Sequence, residues 1–197
     1  SSCLFNFFIA FLIPNSRYLV FCWLICRRII NFVRQQQNNS MKIRLICIGR
    51  NRNSQLEELI KQYCAKIPHY MPFELTVIPD VKTGKGMDSE RQKVLEGSLL
   101  LQIVGSADRL VLFDERGREF SSREYADYIA RQAHSVSRNL CFVIGGPYGF
   151  SKEVYERADD KLSLSRMTFS HEMVRLFAVE QIYRAMTILR GEPYHHD

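Results

Sequence analysis

From residue 41 to residue 190 the apolar positions follow two rhythms in alternation, one of period two and one of three to four. Residues 42–48 (KIRLICI) run or alternate apolar and stop at Gly49, as a strand does, and Leu56, Leu59, Ile60, Tyr63, Cys64 and Ile67 then share one helical face. Residues 73–78 (FELTVI) predict a second strand before Pro79. The segment Asp80 to Asp88 has two glycines and no period, as a loop would; its Lys82 and Lys85 suit phosphate contacts or a solvated loop equally well. A helix is expected from Ser89 to about Val104 and a strand over Arg109 to Phe113 (RLVLF). Ser121 with Glu124 forms an S-x-x-E capping box that opens a helix running to about His134. A strand at Leu140 to Ile144 follows, then the glycine turn Gly145 to Gly149, a short helix starting near Ser151 and a short strand, KLSLS, at 161–165. The last predicted element is a long helix, His171 to Arg190.

Strand–helix units repeated at this length predict an α/β fold with a mainly parallel sheet and helices on both faces. The last helix carries Val174, Leu176, Phe177, Val179, Ile182, Tyr183, Met186, Ile188 and Leu189, which cover more than one face. Such a helix is either buried within the protomer or shared between two copies in a homodimer.

The first forty residues break the pattern. Residues 3–13 and 18–26 are apolar, but Pro14, Asn15, Ser16 and Arg17 separate them, and neither reaches the roughly 18 to 20 residues of a spanning helix. Positive charge follows the apolar part instead of preceding it, unlike a signal peptide. The tract Gln35 to Ser40 then gives way abruptly to well-patterned sequence at Met41, which has the look of a start codon. Residues 1–40 are therefore expected to be an extension foreign to the fold of residues 41–197, with a membrane anchor as the alternative.

Composition changes this picture little. At 197 residues, 46% hydrophobic and 24% charged, the chain is an ordinary globular protein and not a disordered one. Of its net charge of +6, the first forty residues contribute four arginines and no acid, leaving +2 for the rest. That balance excludes a protein that coats nucleic acid by charge alone, so any RNA contact is local. Six cysteines without a C-x-x-C pair make a disulfide framework or zinc site improbable, and Cys47, Cys64 and Cys141 sit where buried hydrophobes belong.

In an open α/β sheet, ligands bind beyond the carboxyl ends of the strands. Three loops are candidates: Phe113 to Gly117, Gly145 to Gly149, and Leu164 to Phe169. Glycines in the second let a flat ligand approach main-chain groups, though a simple tight turn would read the same. Neither a G-x-G-x-x-G nor a phosphate-binding G-x-x-x-x-G-K-S/T is present, so hydride transfer and nucleoside-triphosphate hydrolysis lose support. His171-Glu172 lacks the second histidine of H-E-x-x-H, since residue 175 is arginine. A metal on His195, His196 and Asp197 is disfavoured by the geometry of a tail. Arg175, Glu180, Arg184, Tyr194 and His195 crowd the chain's end, and Glu180 with Arg184 could be only a structural i,i+4 pair.

Together these residues match a family. The stretch Leu162 to His171 (LSLSRMTFSH), Arg175, Glu180-Gln181, Tyr183-Arg184-Ala185 and the closing Gly191-Glu192-Pro193-Tyr194-His195 resemble the signature of the RlmH family of SPOUT methyltransferases. The likeness extends through Gly145-Gly146-Pro147 and Asp114 with Gly117 back to Met41, and so covers residues 41–197. It implies a C-terminal trefoil knot, a homodimer whose second copy completes each site, and a cytoplasmic, S-adenosylmethionine-dependent enzyme that methylates N3 of a pseudouridine in 23S rRNA of the assembled ribosome. It implies no metal, and no membrane for residues 41–197. Phe113, where the family usually has leucine, is expected beside the adenine and Gly145 at the pocket floor, while Leu164, Ser165, Arg166, Met167, Thr168 and Phe169 give backbone contacts. Tyr194 and His195 are expected to close over the target base, His195 as proton acceptor, with Arg175 and Arg184 orienting RNA or tail. Family members commonly have a basic residue where His196 stands. The alternatives are a SPOUT methyltransferase for another RNA and a non-catalytic ribosome-binding protein.

Overall fold

A computed structural model describes residues 41–81, 88–133 and 139–195. The expectations placed on residues 1–40, Lys82, Lys85, His134, His196 and Asp197 lie outside the described residues. Residues 41–197 form a compact unit of their own, and that unit is described here.

Its elements are β1 (Lys42–Ile48), α1 (Ser54–Lys66), a 3-10 turn (Ile67–His69), β2 (Phe73–Ile78), α2 (Ser89–Ile103), β3 (Arg109–Glu119), α3 (Ser122–Ala133), β4 (Asn139–Ile144), α4 (Lys152–Arg157), β5 (Asp160–Ser163) and α5 (His171–Arg190). The strands form one parallel sheet in the order β2-β1-β4-β3-β5. Alternation along the central strands decides the layers, since successive side chains point to opposite faces. Ile43, Leu45 and Cys47 of β1, with Leu140, Phe142 and Ile144 of β4, face the core under α1, α3 and α5. Ile46 and Ile48, with Cys141 and Val143, face the core under α2 and α4. Both faces are covered, which is why β4 reads as an unbroken apolar run.

Local signals act where they were read. The Glu124 N–H donates to Ser121 Oγ at 3.3 Å and the Ser121 N–H to Glu124 Oε2 at 2.8 Å, so the capping box forms. The Ser170 hydroxyl accepts from the Met173 N–H at the start of α5, and Gly191, at φ 67°, ends it in the left-handed region.

Two expectations are corrected. The loop expected over Asp114 to Gly117 is strand instead, since β3 continues through it to Glu119. A bulge between Phe113 and Arg118 brings β3 back to β5, with both residues paired to Leu162. The backbones pass so closely that a Cβ on Gly117 would lie 2.4 Å from the Leu162 carbonyl carbon. β5 is also shorter than KLSLS, leaving the sheet at Ser163, so Leu164 and Ser165 belong to the following loop.

Candidate functional site

Beside the bulge of β3 and beyond the carboxyl ends of β4 and β5 lies a cavity of about 740 Å³. All three predicted loops meet there: Phe113, Gly145, Leu164, Ser165, Arg166, Met167, Thr168 and Phe169 line it. Each is placed by a local cause. Phe113 stacks on Phe142 at a centroid distance of 5.6 Å, which fixes its ring at the bulge of β3. Gly145 leaves β4 against the Phe150 ring, where a Cβ would stand 3.0 Å from Cζ. Gly149, at φ 81°, turns the chain so that its N–H reaches the Gly146 carbonyl at 3.1 Å.

The third loop is folded by its own serines. Ser163 Oγ donates to the Ser165 carbonyl at 2.9 Å, and Ser165 Oγ accepts from the Met167 N–H at 3.0 Å. Phe169 packs on Phe177 of α5 at 4.9 Å, while Met167 at the mouth is 76% exposed. The charged and polar lining comes from Lys93, Asp114, Glu115, Arg116, Tyr155, Arg166 and His171. The Tyr155 hydroxyl donates to the Asp114 carboxylate, and burial followed by that carboxylate pushes the phenol up to about 12.

Beside this cavity stands Glu96 of α2, only 2% exposed. Its Oε1 accepts from Gln92 at 2.7 Å, while Oε2 has no partner among the described residues and lies where a Cβ on Gly146 would be 2.3 Å away. Burial pushes this carboxyl above the ordinary range. Sequence reasoning missed it, because a glutamate among the apolar positions of α2 looks like a solvated one.

The predicted tail residues gather elsewhere, on α1 and α5. Glu180 Oε1 accepts from Arg184 Nη2 at 2.6 Å, from Arg184 Nε at 3.0 Å and from the Tyr194 hydroxyl at 3.1 Å. The Tyr63 hydroxyl lies 3.3 Å from that of Tyr194, and the Tyr194 ring covers the Arg184 guanidinium at 4.8 Å. Glu180 is thus the centre of the cluster and not merely one half of an ion pair. Burial, then the Tyr63 hydrogen bond, pushes the Tyr194 phenol well above its ordinary range; Glu180 raises Arg184 further. His195 follows, half-buried. Arg184, Tyr194 and His195 are not among the residues that line the cavity of the same chain.

Arg175 is set apart from the tail cluster. Only 4% exposed, its Nη2 donates to the Ile48 carbonyl at 2.7 Å and lies 2.5 Å from His171 Nε2, which accepts from it. His171 lines the main cavity, whereas Arg175 lines a second, smaller one. Among the described residues no group of three His, Cys, Asp or Glu side chains could hold a metal, and no helix is long and apolar enough to cross a membrane.

A family model described as a predicted SPOUT methyltransferase matches residues 41–195. Two relatives, each named ribosomal RNA large subunit methyltransferase H, come from Christiangramia forsetii and Parabacteroides distasonis. The first is 54% identical over 156 residues, covering 79% of this chain and 99% of the relative. The second is 51% identical over 157 residues, covering 80% and 100%. Among solved structures, a probable methylase family protein from Haemophilus influenzae aligns at 14% identity and a TM-score of 0.44, over 80% of this chain and 71% of that one.

Proposed function

The chain belongs to the SPOUT methyltransferase family, and from that premise we propose that it transfers the methyl group of S-adenosylmethionine to N3 of a pseudouridine in large-subunit ribosomal RNA. The observation that carries this reading is the convergence of the Phe113, Gly145 and Leu164–Phe169 segments on one cavity. It is supported by near-full-length identity of about half to relatives named for large-subunit rRNA methylation. The family also implies a C-terminal trefoil knot in the α/β fold.

The lining fits the cofactor. Phe113, Ile144, Leu162, Leu164 and Phe169 offer apolar walls to a flat purine, and the bare backbone at Gly145 permits close approach. Asp114 and Glu115 put carboxylates beside a ligand that carries positive charge. When bound, S-adenosylmethionine supplies an electrophilic methyl on a sulfonium, so the protein's task is to align N3 with it and to take the N3 proton. Alignment alone is worth several orders of magnitude in rate.

The tail performs the second task. Tyr194, with its phenol pushed up, stays a donor at neutral pH. His195 beside it is therefore the proton acceptor, since a neutral imidazole presents a ring nitrogen that can accept. Arg184, fixed by Glu180, orients the tail or an RNA phosphate. As the tail cluster and the cavity are separate within one chain, the site is completed by the tail of a second copy in a homodimer. The enzyme works in the cytoplasm, where its ribosomal substrate is, and residues 41–197 form its catalytic domain. We read residues 1–40 as an extension foreign to that fold, with a membrane anchor as the alternative; an N-terminal peptide from the native cell that begins at or just after Met41 would exclude the anchor.

The test is methyl transfer from labelled S-adenosylmethionine to ribosomes lacking the modification, with the labelled nucleotide mapped. Label on N3 of a large-subunit pseudouridine is the expected result. Cofactor binding with label on another RNA would reassign the substrate, and absence of cofactor binding would leave a non-catalytic ribosome-binding protein. His195→Ala should lower the single-turnover rate about 10²- to 10⁴-fold with cofactor affinity intact; an unchanged rate removes His195 as the acceptor.

A further inference from the structure

A second cavity, of about 420 Å³, opens at the carboxyl ends of β1 and β2, under α1 and α5. Its volume is within the range of small-ligand pockets. Among the described residues, three buried polar atoms there have no hydrogen-bond partner: both Nδ2 and Oδ1 of Asn51, and Nε of Arg175. Buried polar groups are almost always paired, so three orphans from two elements around one cavity point to a ligand.

The loop that carries Asn51 is held on both sides. The Gly49 N–H donates to the Ile78 carbonyl at 2.8 Å, with Gly49 at φ 87°, and the Arg52 N–H donates to Glu172 Oε1 of α5 at 2.6 Å. Asn53 then caps α1 through the Gln55 and Leu56 N–H groups. Asn51 is held between these points, in the wall of the cavity.

We propose that this cavity takes one unstacked nucleotide of the RNA substrate, other than the one methylated; the inference rests on the methyltransferase reading above. An amide with a free donor and a free acceptor matches the donor–acceptor edge of a nucleobase. Ile60, Leu75, Val77 and Val179 supply apolar walls for its faces, and exposed Arg50 at the mouth suits the phosphate. Glu57 on the same wall disfavours a bare anion as the occupant. Arg175 also joins this cavity to the larger one, since it donates to His171, which lines that one.

The test uses the full chain with Asn51→Ala, the near-isosteric Asn51→Asp and Arg50→Ala. Ribosome affinity, KM and kcat for ribosomes, and calorimetric affinity for S-adenosylhomocysteine are measured. Both Asn51 variants should bind ribosomes about tenfold more weakly and show a KM raised by a similar factor. kcat and S-adenosylhomocysteine affinity should be unchanged. Arg50→Ala should weaken binding and reduce its salt dependence by about one counterion. Wild-type ribosome affinity in both Asn51 variants, with or without a lowered melting temperature, would mean that the cavity holds only water and would overturn the proposal. If wild type binds ribosomes but transfers no methyl group, the catalytic reading fails while the affinity comparison still judges the cavity. If wild type binds no ribosome, both fail.

Discussion

Gly117 has no room for a side chain, because the Leu162 backbone nitrogen and carbonyl carbon would lie 2.6 and 2.4 Å from its Cβ. Gly117→Ala must therefore part β3 from β5 beside the cavity, at a cost of about 1–3 kcal/mol or more. The expected outcome is a lower melting temperature together with weaker binding of S-adenosylhomocysteine, both readable by thermal titration with and without the ligand. Glu96 gives a prediction of opposite sign. Its carboxyl is raised in the folded chain, so the unfolded state releases that proton at lower pH, and above the folded value the ionised side chain costs stability. Glu96→Gln should raise the melting temperature at pH 8, and the gain should vanish as pH falls below the ordinary carboxylate range, about pH 4. A variant less stable than wild type at pH 8 would show that the carboxylate is paired in solution. The buried thiols follow the same logic, since desolvation pushes Cys47 to about 12 and Cys141 to about 11. Neither should be alkylated at neutral pH before the chain unfolds.

At the scale of elements, most boundaries were legible because they are set by contacts within four residues. The α3 start is the clearest instance: Ser121 and Glu124 exchange two hydrogen bonds that the S-x-x-E spacing announces. Ser121→Ala should lower the melting temperature by roughly 2–4 °C, measured by calorimetry, without moving cofactor affinity. The α5 limits were equally plain, from Ser170 to Gly191. What polarity concealed was the outer half of β3. Asp114 to Gly117 looks like a loop because the residues are charged, yet the strand persists because β5 pairs with it on both sides of the bulge. That partner lies more than forty residues along the chain, beyond any local window. Glu96 was illegible for a similar reason: helical spacing does not say which neighbour will cover a polar position.

At the scale of the molecule, the separation of cavity and tail cluster yields the sharpest test of the homodimer. Gly145→Val, with its branched side chain driven against Phe150, disables the cavity, and His195→Ala disables the tail. Each should be inactive alone. Mixed after subunit exchange, random pairing leaves one intact composite site in half the dimers, so about a quarter of wild-type activity should return. No recovery despite proven exchange would place each site within a single chain.

The sequence by itself determined most strand and helix identities, the alternating layers and the three segments that line the cavity. Hydrophobic period and capping are properties of short windows, and the family motifs run continuously through those loops. Tertiary structure alone decided the strand order, the bulge that welds Gly117 to Leu162, the burial of Glu96 and the division of Arg175 from Arg184 between two places. It also disclosed the second cavity, whose walls come from α1, β1, β2 and α5. These are outcomes of which distant surfaces meet, fixed by shared burial and close packing and not by the spacing of any one segment.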